Sequence, residues 1–291
     1  MSMQPAKSYL FNELILWVES SLHLNIGVED VIIKSGYSKR HIQYIFKEMC
    51  GRGVSSYIKD RRLSRAAGLL RLTNKSVIDI CNIYFFKSPQ SFSRSFKNKF
   101  GISPSKYRSN QDWLLNNYTG RYTRQNKVKS TIVFIDDEYL LLVDNKKFYL
   151  NMDFIYNSND KPHGHKPDGL VSYLKCNIKS KVINKLCKVL YVVKPNNNNY
   201  DTIEVDVSVF KRIHTSNSIG ATNILGGYFC MFSFNGTWDD YYHFSDSVYT
   251  TELPRLGLNK RNSYDFEIYK SDCHHNENFI SVDFYIPISF A

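Results

Sequence analysis

No apolar run in the 291 residues approaches 18, so the chain offers no candidate for a membrane-spanning helix. The N-terminal stretch MSMQPAKSYLFNELILWVESS carries Asn12 and Glu13 inside its apolar segment and has no small-residue cleavage site, which argues against a signal peptide. The six cysteines (Cys50, Cys81, Cys176, Cys187, Cys230 and Cys273) are scattered, with no CxxC pair. They are expected to be reduced thiols in a cytoplasmic protein, packed as small hydrophobes rather than used as nucleophiles. No Walker loop, GxGxxG, HExxH or GxSxG is present, so no cofactor is expected and an enzyme is not the first reading. Two clusters hold metal-ligand residue types, Cys273-His274-His275 and His163-x-His165. Neither has a standard zinc spacing, and surface loops are the expected setting.

What is present is charge, unevenly placed. The formal net charge is +11. Residues 1–112 hold 18 basic and 8 acidic side chains, a surplus of ten. Residues 113–130 add Arg121, Arg124, Lys127 and Lys129, and residues 131–291 run to −3. With 43% hydrophobic and 22% charged residues the chain is not disordered. An anionic polymer is therefore the expected partner of the first third.

That first third reads as helices. Leu10, Leu14, Trp17 and Val18 recur at helical spacing over about 8–22. A short helix opens near Gly27 and ends near Gly36, and Ser38 caps the next, with Ile42, Ile45, Phe46 and Met49 on one face. A long helix over about 55–72 follows, then one capped by Ser76 to about Tyr84. Ser88-Pro89 opens another, with Phe92, Phe96 and Phe100 stacked on one side. Pro104 to Ser109 forms a closing turn. The region repeats: Phe46-Lys47, Gly51 and Tyr57 recur as Phe96-Lys97, Gly101 and Tyr107 at an offset of 50, and Val28 and Asp30 recur as Val77 and Asp79 at 49.

Short helix, turn and second helix describe a helix-turn-helix, whose second helix enters the major groove. Such a helix needs an apolar face to hold it and long polar side chains opposite, to reach base edges. Lys39, Arg40, Gln43 and Tyr44 in the first unit, and Gln90, Ser91 and Arg94 in the second, are the candidate base contacts. Lys47, Lys97, Tyr107 and Arg108 are the candidate phosphate contacts. A helical bundle with solvated polar faces is the competing reading. If the long helix sets both reading helices on one face, they could enter groove segments roughly 34 Å apart.

The segment GYSKRHIQYIFKEMCGRGVSSYIKDRRLSRAAGLL resembles the AraC/XylS family, especially its MarA/SoxS/Rob branch. The tail Phe96-Lys97-x-x-Phe100-Gly101-x-Ser103-Pro104-x-x-Tyr107-Arg108 looks like the signature of that family. The resemblance covers about residues 8–110. It implies a transcriptional regulator, usually an activator, that binds an asymmetric DNA site and recruits RNA polymerase. Gln43 and Arg94 match the branch. Arg40 stands where it usually has Trp, Tyr44 where it has Arg, Pro89-Gln90 where it has a Gln pair, and Phe85 where it has Gly. The scaffold should carry over; the base sequence read should not.

Residues 111–129 read as a basic linker, and from about 130 the pattern changes to strands. They are expected over 130–135, 139–143, 188–193, 203–211, 227–234, 265–269 and 280–288, with helices over about 168–183 and 239–251. Asn196–Asn199 marks a loop tip. The fold class expected is multi-domain: an all-α N-terminal domain (1–110) with two helix-turn-helix units, and an α+β C-terminal domain (130–291) with an antiparallel sheet. The Gly-Gly-Tyr strand start, Phe266-Glu267-Ile268-Tyr269 and Tyr285-Ile286-Pro287-Ile288 resemble the second half of GyrI-like ligand-binding domains. The whole arrangement is similar to Rob-type regulators. Strand alternation puts Glu267 and Tyr269 on one face. With Tyr228, Phe232, Trp238 and Tyr241 as walls, they could hold a small cationic or amphipathic effector through charge and cation–π contact. A solvent-facing Glu267 beside ordinary core aromatics fits the same residues. Two further readings remain open: a nucleoid-associated binder of low sequence preference, and a ligand-binding or hydrolytic GyrI-like domain anchored to DNA.

Overall fold

The computed structural model describes residues 3–122, 128–151, 168–213, 220–270 and 278–290. The first part is helical: α1 (Met3–Ser20), α2 (Val28–Ser35), α3 (Lys39–Cys50), α4 (Val54–Leu72), α5 (Val77–Ile83), α6 (Pro89–Phe100) and α7 (Pro104–Ser109). Each boundary has a local cause. Ser38, Ser76, Ser88 and Ser103 accept hydrogen bonds from the third amide of the helix they start, satisfying donors that the helix itself cannot. Gly36, Gly51 and Gly101 end α2, α3 and α6 in the left-handed conformation at φ 70°, 74° and 80°.

The repeat is visible in three dimensions, with one irregularity. The position matching Gly36 in the second unit is Phe85, which adopts φ 56°. A side chain in that region costs roughly 1–2 kcal/mol, and Phe85 remains 44% exposed. Its ring lies 5.9 Å from the Arg62 guanidinium, so the strained turn retains one contact with α4.

The second part consists of β1 (Ser130–Ile135), β2 (Glu138–Asn151), α8 (Asp168–Lys179), β3 (Cys187–Pro195), β4 (Thr202–Arg212), β5 (Ala221–Ile224), β6 (Gly227–Thr237), α9 (Trp238–Ser247), β7 (Leu258–Lys260), β8 (Asp265–Tyr269) and β9 (Phe279–Phe290). A π-turn, Val248–Glu252, and a helical turn, Leu253–Arg255, follow α9. One antiparallel sheet runs β1-β6-β9-β8-β3-β4-β2-β5, and β7 adds to β9. A strand–helix–strand–strand unit occurs twice, as β2-α8-β3-β4 and as β6-α9-β8-β9, and the two join at the β3–β8 pair. The sheet's end strands β1 and β5 continue directly into β2 and β6. There the Gly226 amide donates to Asp137 Oδ1 at 2.8 Å, so the sheet curls until its ends meet.

Several expected boundaries shift. The strand expected over 139–143 runs from Glu138 to Asn151, through a bulge between Leu142 and Asp144. Its polar Asp144-Asn145-Lys146-Lys147 run hid the continuation. The helix expected to reach 183 stops at Lys179, and the one expected over 239–251 ends as an α-helix at Ser247. Within the stretch read as a linker, residues 112–118 are docked. Trp113 pairs in β fashion with Lys260, and Leu115 is fully buried.

Buried side chains form three clusters. The first helix-turn-helix unit has its own core around Phe11, Val18, Ile42, Ile45 and Phe46. The core of the second unit, including Phe92, Phe96 and Tyr107, is continuous with the helix-covered face of the sheet. The inside of the curl holds Leu140, Leu190, Phe210, Phe229 and Phe266. The long helix α4 contributes to both helical cores, through Val54, Tyr57 and Ile58 on one side and Leu63 to Leu70 on the other.

Candidate DNA interface and ligand-binding region

α3 and α6 have the split faces that groove reading requires. Ile42, Ile45 and Phe46 are fully buried on α3, and Phe92 and Phe96 on α6. On the opposite faces Lys39, Arg40, Tyr44 and Lys47, and Gln90, Arg94 and Lys97, are exposed. Gln43 is half-buried. The Lys39–Glu29 ion pair (2.8 Å) is open to solvent and therefore cheap to break. The Tyr44 ring lies under the Lys7 ammonium at 4.8 Å, so α1 helps position it.

Three of the expected DNA contacts are committed elsewhere. Tyr107 is fully buried, and its hydroxyl donates to the Leu114 carbonyl at 2.6 Å; it closes the core of the second unit instead of meeting a phosphate. Arg108 donates through Nε to the Leu70 carbonyl at 3.1 Å and through Nη2 to the Lys75 carbonyl, which ties α7 to the end of α4. The Ser91 hydroxyl is half-buried and donates to the Ser88 carbonyl (2.9 Å) while accepting from the Ser88 amide (3.2 Å), completing the capping box of α6.

α4 is held by a buried charge cluster. Glu19 on α1, 1% exposed, accepts from Tyr57 Oη (2.7 Å), Arg61 Nε (2.7 Å), Arg61 Nη2 (2.8 Å) and Arg65 Nη2 (3.2 Å). Burial opposes its ionisation, but the two guanidinium groups outweigh that and hold the carboxyl far below its ordinary range.

In the sheet domain, the β-register sets Phe232, Phe284, Glu267, Val189 and Val209 in one row across β6, β9, β8, β3 and β4. Glu267 is the only charge in that row and is 1% exposed. Three hydroxyls donate to it, from Tyr191, Tyr241 and Tyr269. Burial first, and then the Glu267 charge, push the Tyr191 and Tyr241 hydroxyls well above the ordinary phenol range, so they remain donors. Trp238 adds a ring 6.3 Å from Tyr241 and 6.2 Å from Tyr269. The fold thus gathers Glu267, Tyr269, Tyr241, Trp238 and Phe232 on one face as a closed box. Tyr228 is not part of it. It is 48% exposed and contacts Phe134 and Phe290 at 5.1 and 5.4 Å. Sequence reading missed Tyr191: its alternation in β3 was legible, but its cross-strand partners were not.

Among the described residues no group of three or more His, Cys, Asp or Glu side chains could hold a metal, and no helix is long and apolar enough to cross a membrane. His163, His165, Cys273, His274 and His275 lie outside the described residues.

Comparison with known proteins agrees with this geometry. Residues 33–110 match a helix-turn-helix domain family, and residues 186–289 match the GyrI-like small molecule binding domain. The F1 operon positive regulatory protein of Yersinia pestis is 31% identical over 97% of this chain and 89% of its own length. The right origin-binding protein of Escherichia coli K12 is 28% identical over 89% of this chain and 90% of its own. The DNA-binding domain of AdpA, solved with a target DNA, is 26% identical, with a TM-score of 0.33 over 34% of this chain and 88% of its own. With two helix-turn-helix units followed by a GyrI-like small-molecule-binding domain, the chain belongs to the AraC/XylS family of DNA-binding transcriptional regulators, in its Rob-like branch.

Proposed function

We propose that the protein reads two successive major-groove segments with α3 and α6 as a single chain, and that it activates transcription by contacting RNA polymerase in the cytoplasm. The observation that carries this is the repeat itself: two exposed polar helix faces joined by α4, one unbroken 19-residue helix. A helix-turn-helix protein of one unit needs a dimer to reach two groove segments; two units joined in one chain do not. Lys39, Arg40, Gln43, Tyr44, Gln90 and Arg94 read bases in this account, and Lys47 and Lys97 meet phosphates. The name of the Yersinia relative supports positive control. The functional division is 1–110 for DNA, 111–129 as connector and 130–291 for effector binding.

In the effector domain, Glu267 with Tyr241, Tyr269, Trp238 and Phe232 forms the floor that a small cationic or amphipathic molecule would reach. Every hydroxyl on Glu267 is a donor that such a ligand must displace or share, so binding requires at least one of Tyr191, Tyr241 and Tyr269 to move. A sequence selection from random DNA tests the DNA reading. Arg94→Ala should lose about 1–3 kcal/mol at one base position of the selected site and little on unrelated DNA. Equal loss on all sequences would favour a binder of low sequence preference.

A further inference from the structure

A cavity of about 540 Å3 lies in the seam between α4 and the sheet domain, within the roughly 300–1,000 Å3 typical of small-molecule sites. One wall is α4, from Arg61 to Leu72. The other is formed by β3, the π-turn and the β7–β8 segment, and residues 113–118 close one side. Trp113, Tyr118, Tyr191 and Tyr249 supply aromatic surface. The cavity is separate from the Glu267 box, because the Tyr191 ring stands between them: it lines the cavity and donates its hydroxyl to Glu267.

Among the described residues, most of the charged groups around the cavity are committed, and Asp246 is the carboxylate that is not. Arg61 and Arg65 are turned to Glu19. Arg71 donates to the carbonyls of Arg108, Asn110 and Gln111. Lys260 pairs with Asp265 at 3.0 Å, and Asp265 also accepts from Tyr249 at 2.6 Å. Arg261 lays its guanidinium over Phe229, a ring of the core inside the curl, while its Nε and Nη2 are buried without a hydrogen-bond acceptor among the described residues. Asp246, on the last turn of α9, differs. Its carboxylate lines the cavity and forms no hydrogen bond or ion pair among the described residues; it feels Arg61, Arg65 and Arg121 only through space. Burial raises its pKa in spite of those arginines, with Glu19 acting in the same direction as burial.

We propose that this seam takes a compact organic cation, its charge against Asp246 and its body against Trp113, Tyr118 and Tyr249, so that α4, the helix that joins the two reading units, is itself a wall of the ligand site. Aromatic faces and a lone carboxylate are the two features that hold such cations. A ligand touching both walls binds the docked arrangement in preference to an undocked one, and so tightens the hold on the second reading unit. That unit is already tethered at its start: Asn74 Nδ2 donates to Asn197 Oδ1 at 2.9 Å, and Lys75 pairs with Asp201. The loop tip of four asparagines thus reaches the entry of α5.

The test uses the full chain and benzyltrimethylammonium as probe, with benzenesulfonate as its charge-reversed counterpart. Calorimetry should show saturable binding of the cation and at least tenfold weaker binding of the anion. Asp246→Asn should weaken the cation at least tenfold, and Val193→Trp, which fills the cavity from the sheet side, should abolish binding. Hydrogen exchange should slow across residues 61–72 of α4 when the probe binds. No saturable binding to the unaltered chain, equal binding of the anion, an Asp246→Asn effect under threefold, or exchange in α4 unchanged would each overturn the proposal. Loss with Glu267→Gln but not with Asp246→Asn would leave the Glu267 floor standing and remove this site.

Discussion

Replacing Glu19 by Gln keeps the size of the side chain and removes one charge from the cluster that joins α1 to α4. Two guanidinium groups, on residues 5% and 6% exposed, then lose their carboxylate. One amide oxygen remains to accept, and the new NH2 faces donors. Removing one member of a buried ion cluster typically costs about 3–5 kcal/mol, chiefly because the remaining charge stays buried. The Coulomb energy of the intact cluster does not set this figure; the unpaired arginines do. With a urea slope of about 2 kcal/mol per molar, a loss of about 4 kcal/mol lowers the midpoint of the first unfolding transition by about 2 M. Circular dichroism of the helical half reads this directly. The pH dependence has a definite sign. The Glu19 carboxyl is held below its ordinary value of 4.5 in the fold. Its contribution is therefore full above that value and is lost as pH falls below it towards the folded pKa. The gap between the native chain and Glu19→Gln should be widest near neutrality and should narrow on acidification from pH 4.5 downward. A midpoint shift under 0.5 M at pH 7, or a gap that widens in acid, would refute the assignment of Glu19 as the counter-charge of α4.

Two other outcomes follow from the same geometry. Lys47→Ala and Lys97→Ala should weaken binding to all DNA alike, each lowering the slope of log affinity against log salt by about one; a base-selective loss would move them to the reading faces. Gly36→Ala should destabilise by about 1 kcal/mol in thermal melts, because an added Cβ there meets nothing within 4 Å and only the backbone at φ 70° resists it.

Much of the helical half was legible because its signals are local. Ser-capped starts, glycine stops and apolar residues at three- and four-residue spacing are read within a dozen positions, and α3 and α6 fall where those signals place them. Phe85 was legible as a departure, and the structure gives its consequence as a left-handed backbone on a bulky residue. What depends on distant partners was not legible. Tyr107 and Arg108 lie in a signature that looks like DNA contact, yet their polar atoms are used by Leu114, Leu70 and Lys75. Glu267 and Tyr269 share a face, as alternation requires, but the burial of Glu267 depends on Tyr191, 76 residues earlier in the chain. β5 and β7 are four and three residues long and carry no alternation to find. Asn259, whose Oδ1 accepts from the Leu115 amide at 2.9 Å, fixes the docking of residues 112–118 and leaves no mark in its own neighbourhood.

The central claim is that one chain reads two groove segments through α3 and α6. Hydroxyl-radical footprinting on a DNA site selected from random sequence tests it most directly. The account predicts that a single bound chain protects two segments about one helical turn, roughly 34 Å, apart on the same face of the duplex. Arg40→Ala should weaken one segment and Arg94→Ala the other. Protection of one segment only, or unbroken protection of DNA of any sequence, would contradict it.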